Sequence, residues 1–93
     1  MITVNEKIKN LRKDIDKIDQ EILMNLKQRI EITEEIGRIK KTDRSNILDK
    51  KRETEILDIL LAAGRKYGID ADFITSIWRQ IIAYSYKVQE ESE

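Results

Sequence analysis

The residues best suited to chemistry in this sequence are basic and amide side chains at helical spacings. Arg29 and Lys40 lie 11 residues apart, which is close to a whole number of helical turns, so both point from one helix face. They would lie roughly 16 Å apart along the axis, and two long side chains leaning toward each other can hold a small anion. Gly37 lies between them, where a missing side chain lets a ligand or a helix approach the backbone. This spacing allows a site for a small anion.

Two further groups of polar residues have helical spacing. Asp49, Arg52 and Glu53 lie at i, i+3 and i+4, so they share a helix face. Ser85 and Gln89 lie at i and i+4 along the edge of an apolar stripe, where polar groups are not expected to face solvent. Taken alone, Arg52 and Glu53 would be solvated, and Ser85 and Gln89 would contact a partner.

Arg12 directly follows an apolar seam residue and lies 17 residues before Arg29. That separation is about 25 Å along one helix, too far for a small ligand to bridge. An antiparallel helix from a second copy of the chain would bring its Arg12 beside Arg29. The sequence therefore allows a site built from two chains.

Each of these residues taken alone has a simpler interpretation. An Arg in a helix seam is commonly a register device or an interface ion pair. Lys40 near a helix end complements the helix dipole, and Asp49 is a suitable N-cap. On spacing alone, the chain is a helical dimer with a polar interior.

The composition limits both the partners and the chemistry. The 93 residues favour one domain, and 18 basic against 18 acidic residues give a formal net charge of zero. A nucleic-acid partner is not expected without a basic excess. There is no Cys, His or Pro, which excludes disulfides, thiolate nucleophiles, His-based metal sites and Ser–His triads. We expect no membrane span and no signal peptide, and hence a cytoplasmic protein.

The first helix is predicted from an apolar seam with alternating spacings of three and four residues, typical of a coiled coil. The seam begins with Ile8, Leu11, Ile15, Ile18 and Ile22. Continued in the same register, the seam predicts a helix from about Asn5 to Lys41, roughly 55 Å long. A helix of this length exceeds the width of a compact domain of this size and needs a partner along its length.

Two shorter helices follow, and no segment alternates with period two, so the predicted fold is all-α. A loop at Lys41–Asn46 precedes a helix from about Asp49 to Lys66, and Gly68 is a suitable C-terminal stop. Asp70 caps a third helix, from about Ala71 to Gln89. The predicted apolar faces are Ile56, Leu57, Leu60, Leu61 and Ala63 on the second helix, and Phe73, Ile74, Ile77, Trp78, Ile81, Ile82 and Val88 on the third. The final residues, "EESE", are expected to be frayed.

The ordered set of these motifs resembles the all-helical class of chorismate mutase, from about Ile8 to Gln89. The motifs are "LRKDIDKID" (Leu11–Asp19), Arg29, "GRIK" (Gly37–Lys40), "DKKRE" (Asp49–Glu53), Ser85 and Gln89. The resemblance implies three helices per chain and an intertwined homodimer whose long first helices run antiparallel. It also implies two equivalent active sites, each borrowing an Arg from the other chain.

The resemblance further implies rearrangement of chorismate, a small dianion, to prephenate in aromatic amino-acid biosynthesis, with no cofactor or metal. Lys40, Gln89, Arg29 and Glu53 correspond to catalytic positions. The substrate-binding positions are Arg12 from the other chain, with Arg29, Lys40, Asp49, Arg52, Glu53, Ser85 and Gln89 from the same chain, and apolar walls at Ile36 and Ile82.

Two alternatives stay open at the level of sequence. An isochorismate-pyruvate lyase on the same scaffold uses a similar cationic pocket, although matches at Asp49, Glu53, Ser85 and Gln89 favour the mutase. A non-catalytic helical dimerisation module instead predicts that Arg29 and Lys40 pair with acidic residues across the interface.

Overall fold

A computed structural model describes residues Met1–Glu93 and contains three helices and no strand, which confirms the all-α prediction. The helices are α1 (Val4–Asp43), α2 (Lys50–Tyr67) and α3 (Ala71–Glu91). The chain divides into two units, Met1–Glu31 and Ile32–Glu93, and α1 contributes residues to both. No helix is both long enough and apolar enough to cross a membrane.

The first unit consists of the beginning of α1 and its cap. The Thr3 hydroxyl accepts a hydrogen bond from the Glu6 backbone N–H at 3.1 Å, and the Glu6 carboxylate accepts one from the Thr3 N–H at 3.0 Å. This reciprocal pair is a capping box, which fixes where the helix begins. The predicted seam is exposed in the single chain: Ile8, Leu11, Ile15, Ile18 and Ile22 keep between 41% and 62% of their surface accessible. The homodimer that would cover them stays a prediction.

The second unit has its core between α2 and α3, which pack against each other. Ile74 and Ile82 of α3 are buried, and the predicted apolar residues of α2 are half-buried. Phe73 differs from the prediction because it stays exposed. It lies in the first turn of α3, beside rather than on the face that carries Ile74 and Ile82.

The predicted caps of α2 and α3 are confirmed. An Asp49 carboxylate oxygen accepts from the Arg52 backbone N–H at 3.0 Å, and an Asp70 carboxylate oxygen accepts from the Phe73 N–H at 2.9 Å. Gly68 ends α2 with φ of 71°, a left-handed conformation that costs glycine little. These local signals fix the ends of the helices that carry the polar residues.

Two predicted boundaries are wrong, one at the end of α1 and one at the end of α3. Residues 41–43 are helical, so the loop begins only at Arg44, which has a positive φ of 58°. The C-terminal residues are not frayed: α3 continues to Glu91 and Ser92 is buried. The Lys41 ammonium group donates to the backbone carbonyls of Glu90 and Ser92, which ties the end of α1 to the end of α3.

Candidate active site

At the N-terminus of α2, the three polar residues that sequence spacing placed on one face have different surroundings. Asp49 is the exposed N-cap, and Arg52 is exposed with its guanidinium 3.6 Å from the Glu55 carboxylate. Glu53 instead turns toward α3, and only 25% of its side chain is accessible. Glu53 is therefore the member of this group whose carboxylate is held inside the fold.

Tyr86 of α3 holds that carboxylate. Its hydroxyl lies 2.7 Å from Glu53 Oε2, and 3.3 Å from both the backbone nitrogen and the backbone oxygen of Asp49. The pKa of Tyr86 is raised above its usual value, first because burial disfavours the phenolate and second because the hydroxyl bonds the Glu53 carboxylate. The phenol therefore remains a protonated donor near neutral pH.

Tyr86 was not predicted as a site residue from the sequence. The available signal was its spacing, because Ile82, Tyr86 and Gln89 lie at i, i+4 and i+7 and so follow one stripe of α3. In the sequence, an aromatic ring at this position indicates an apolar helix face, and this pattern does not predict a hydrogen bond from the hydroxyl.

The two lysines at the end of α1 have different partners. The Lys40 ammonium group donates to the Ile47 backbone carbonyl at 3.1 Å in a half-buried setting, so it faces the loop that leads into α2. Lys41 bonds the last carbonyls of α3. Lys40 contacts no carboxylate in the chain, which leaves its positive charge without an acidic partner.

Gly37 and Gln89 form a close backbone contact between α1 and α3. A Cβ atom at Gly37 would lie 2.7 Å from Gln89 Cα and 2.9 Å from its carbonyl oxygen. Gln89 is buried with 7% of its surface accessible, and its side-chain Oε1 has no hydrogen-bond partner in the chain. A buried amide oxygen without a partner costs about 1–3 kcal/mol, which marks Gln89 as a functional candidate.

The other predicted residues take varied settings. Ser85 is half-buried and its hydroxyl donates to the Ile81 carbonyl at 2.8 Å, while Ile82 is buried. Ile36, the other predicted wall residue, is 42% exposed in the single chain. In the first unit, Arg12 is exposed and Arg29 is half-buried.

The structure thus joins Glu53 and Asp49 through Tyr86, and sets Gln89 against Gly37. Lys40 reaches the loop just before Asp49. No group of three or more His, Cys, Asp or Glu residues is placed to hold a metal ion. The chemistry these side chains offer is hydrogen bonding and positive charge at fixed positions.

Three helices without a strand define an all-helical protein, and its interior carries a carboxylate on α2 and a buried amide on α3. Comparison with known proteins specifies the class further. The family described as "Chorismate mutase type II" matches residues 11–90, and the chain belongs to this family.

Several curated proteins are similar to the chain. It is 31% identical to the T-protein of Haemophilus influenzae over 81 residues, covering 87% of this chain and 22% of that protein. It is 34% identical over 89 residues to a bifunctional chorismate mutase/prephenate dehydratase of Aquifex aeolicus, covering 92% of this chain and 25% of that protein. A chorismate mutase of Methanocaldococcus jannaschii is 27% identical over 86 residues, covering 92% of this chain and 87% of that protein. The chain thus spans a quarter or less of the first two relatives.

Proposed function

We propose that this chain rearranges chorismate to prephenate. In this reaction an ether C–O bond breaks while a C–C bond forms in one concerted step, so no nucleophile or proton transfer is required. The observation that carries the proposal is the buried amide of Gln89, whose Oε1 accepts no hydrogen bond in the chain and which lies against the bare backbone of Gly37, so the amide is available to a bound molecule. Membership of the chorismate mutase type II family supports the same reaction.

The electrostatic demands of the reaction match the residue types present. The substrate is a dianion, and negative charge grows on the ether oxygen as the C–O bond lengthens. Fixed donors aimed at that oxygen stabilise the transition state more than the ground state. Gln89 is proposed to donate its amide N–H to the ether oxygen, and Lys40 to supply a positive charge beside it. Holding the folded substrate conformation lowers the barrier further.

The remaining roles are proposed from the residue chemistry. Arg29 and the partner subunit's Arg12 clamp the two carboxylates, because a planar guanidinium forms two parallel hydrogen bonds to a carboxylate. Glu53 accepts from the ring hydroxyl, with the backbone of Asp49 assisting. Arg52, Ser85, Ile36 and Ile82 complete the substrate-binding set.

The proposed active form is an antiparallel homodimer in which each site takes Arg12 from the other chain. The exposed apolar seam on α1 supports it, because burial of such residues favours association. Arg12→Ala and Arg29→Ala should each be nearly inactive. Unfolding and refolding them together should restore activity, since each heterodimer keeps one intact site. Heterodimers that form without recovering activity would count against a shared site.

The direct test is to follow chorismate consumption and identify the product. Prephenate supports the proposal, whereas release of pyruvate from isochorismate would support the lyase. A thermal shift with a bicyclic transition-state mimic separates both enzymes from a non-catalytic module, because only a binding site responds. The cytoplasmic location stays a prediction.

A further inference from the structure

The Tyr86 hydroxyl connects α3 to the first turn of α2 at the residues proposed to bind the ring hydroxyl. It lies 2.7 Å from Glu53 Oε2 and 3.3 Å from the Asp49 backbone nitrogen. One side chain thus bonds both residues. Tyr86 is therefore placed to control the carboxylate that would recognise the substrate.

The direction of the hydrogen bonds follows from their lengths. A phenol has one hydrogen, and the 2.7 Å contact to a carboxylate is the stronger, charge-assisted bond. The hydroxyl therefore donates to Glu53, and its oxygen accepts from the Asp49 N–H at 3.3 Å. Because the hydroxyl accepts one hydrogen bond and donates the other, each bond polarises and strengthens the other. The result is a directed chain from the N-cap of α2 to the Glu53 carboxylate.

The other partner of Glu53 is a weak competitor for this role. Lys50 Nζ lies 3.5 Å from Glu53 Oε2, but its side chain is 85% exposed. Exposed ion pairs of this kind contribute little and do not fix a side chain in one geometry. Tyr86, which is half-buried, is the fixed partner. Both contacts use Oε2, so neither engages Oε1.

We propose that Tyr86 is a positioning residue, which holds Glu53 through Oε2 so that Oε1 accepts from the ring hydroxyl of the substrate. This inference rests on the proposed function. It makes Tyr86 a determinant of selectivity for substrates that carry the ring hydroxyl. The hydroxyl of Tyr86 acts only through Glu53 and contacts no reacting atom.

The test removes the hydroxyl and keeps the ring. Tyr86→Phe should lower kcat/KM for chorismate about tenfold, mainly by raising KM, as expected for losing a hydrogen bond to a charged group. Tyr84→Phe is the matched control, because Tyr84 lies two residues earlier on the same helix and is 52% exposed. It should leave both kinetic constants unchanged.

Two further measurements separate positioning from a structural role. In a Glu53→Ala background, Tyr86→Phe should cause no additional loss. With a chorismate analogue in which hydrogen replaces the ring hydroxyl, wild type and Tyr86→Phe should react equally. The inference is overturned if Tyr86→Phe lowers kcat/KM in the Glu53→Ala background, or with the analogue, as much as it does in the wild-type background with chorismate. Such a result would show that the hydroxyl acts by structure alone.

The remaining outcomes are also decisive. An unchanged Tyr86→Phe shows that the hydroxyl is irrelevant, and a lowered KM shows that it competes with substrate for Glu53; both overturn the inference. A wild-type protein that leaves chorismate unconverted refutes the proposed function itself, and is recognised before any variant is compared.

Discussion

Replacing Gly37 by Ala tests a close backbone contact between α1 and α3 within the second unit. The new Cβ would lie 2.7 Å from Gln89 Cα, about 0.7 Å inside ordinary van der Waals contact, which begins near 3.4 Å. Both nearest atoms belong to the backbone of α3, so rotating a side chain does not relieve the overlap. The last turns of α1 and α3 must separate instead.

The size of the effect follows from two opposing contributions. Ala favours a helix interior over Gly by about 1 kcal/mol. Overpacking costs about 1–3 kcal/mol, and rigid backbone atoms put this contact at the upper end. The expected net loss in the free energy of unfolding is therefore about 2 kcal/mol. Because the displaced residue is Gln89, kcat should also fall, by about tenfold to 10²-fold for a shift approaching 1 Å.

Urea denaturation at one fixed protomer concentration measures the stability, since association shifts the apparent value. Gly64→Ala is the matched control: it is also a helix-interior glycine, but its Cβ would meet mainly the Cδ1 end of the Ile74 side chain, at 2.1 Å. That side chain can change rotamer, so we expect a smaller stability loss and unchanged kcat. A Gly37→Ala protein as stable and active as wild type would refute the reasoning.

Three further changes have defined outcomes. Gln89→Glu should be active only when the new carboxyl is protonated; burial raises its pKa, so kcat is present below that pKa and lost as pH rises through it, and an unchanged neutral optimum in the pH profile would contradict the donor role. Lys40→Ala should lower kcat by about 10²–10³-fold with a small change in substrate affinity, as for loss of one transition-state donor, whereas an effect on KM alone would make Lys40 a simple binding residue. Lys41→Met should cost about 1 kcal/mol in urea denaturation by uncapping α3, whereas Lys51→Met, at an exposed position, should cost almost nothing; equal losses would argue against the cap.

Local signals predicted most of the fold. Apolar spacing located all three helices, and Asp49, Gly68 and Asp70 marked ends that the structure confirms within a residue or two. Helix capping depends on neighbouring residues, so a sequence pattern carries it directly. The order at the end of α3 depends on Lys41, whose carbonyl partners lie about 50 residues away in the chain. Such long-range contacts leave no local pattern.

The candidate site shows the same division. Spacing identified Gln89 and Glu53, and the structure places both away from full exposure. It could not separate Glu53 from Arg52, because residues one apart in the first turn differ only in what packs beside them. The role of Tyr86 could not be predicted for the same reason, because its hydroxyl meets Glu53 only when α3 lies against the start of α2.

The anchoring of α3 by Lys41 determines which changes the chain tolerates after Gln89. Lys41 donates to main-chain carbonyls, so Glu90 and Glu91 can be replaced by other residue types without loss of these hydrogen bonds. The backbone path of this stretch is constrained instead, because both carbonyls must stay within reach of the Lys41 ammonium group. Conservation should therefore fall on Lys41 rather than on the acidic side chains of this segment, although the segment's backbone holds the proposed catalytic amide in place.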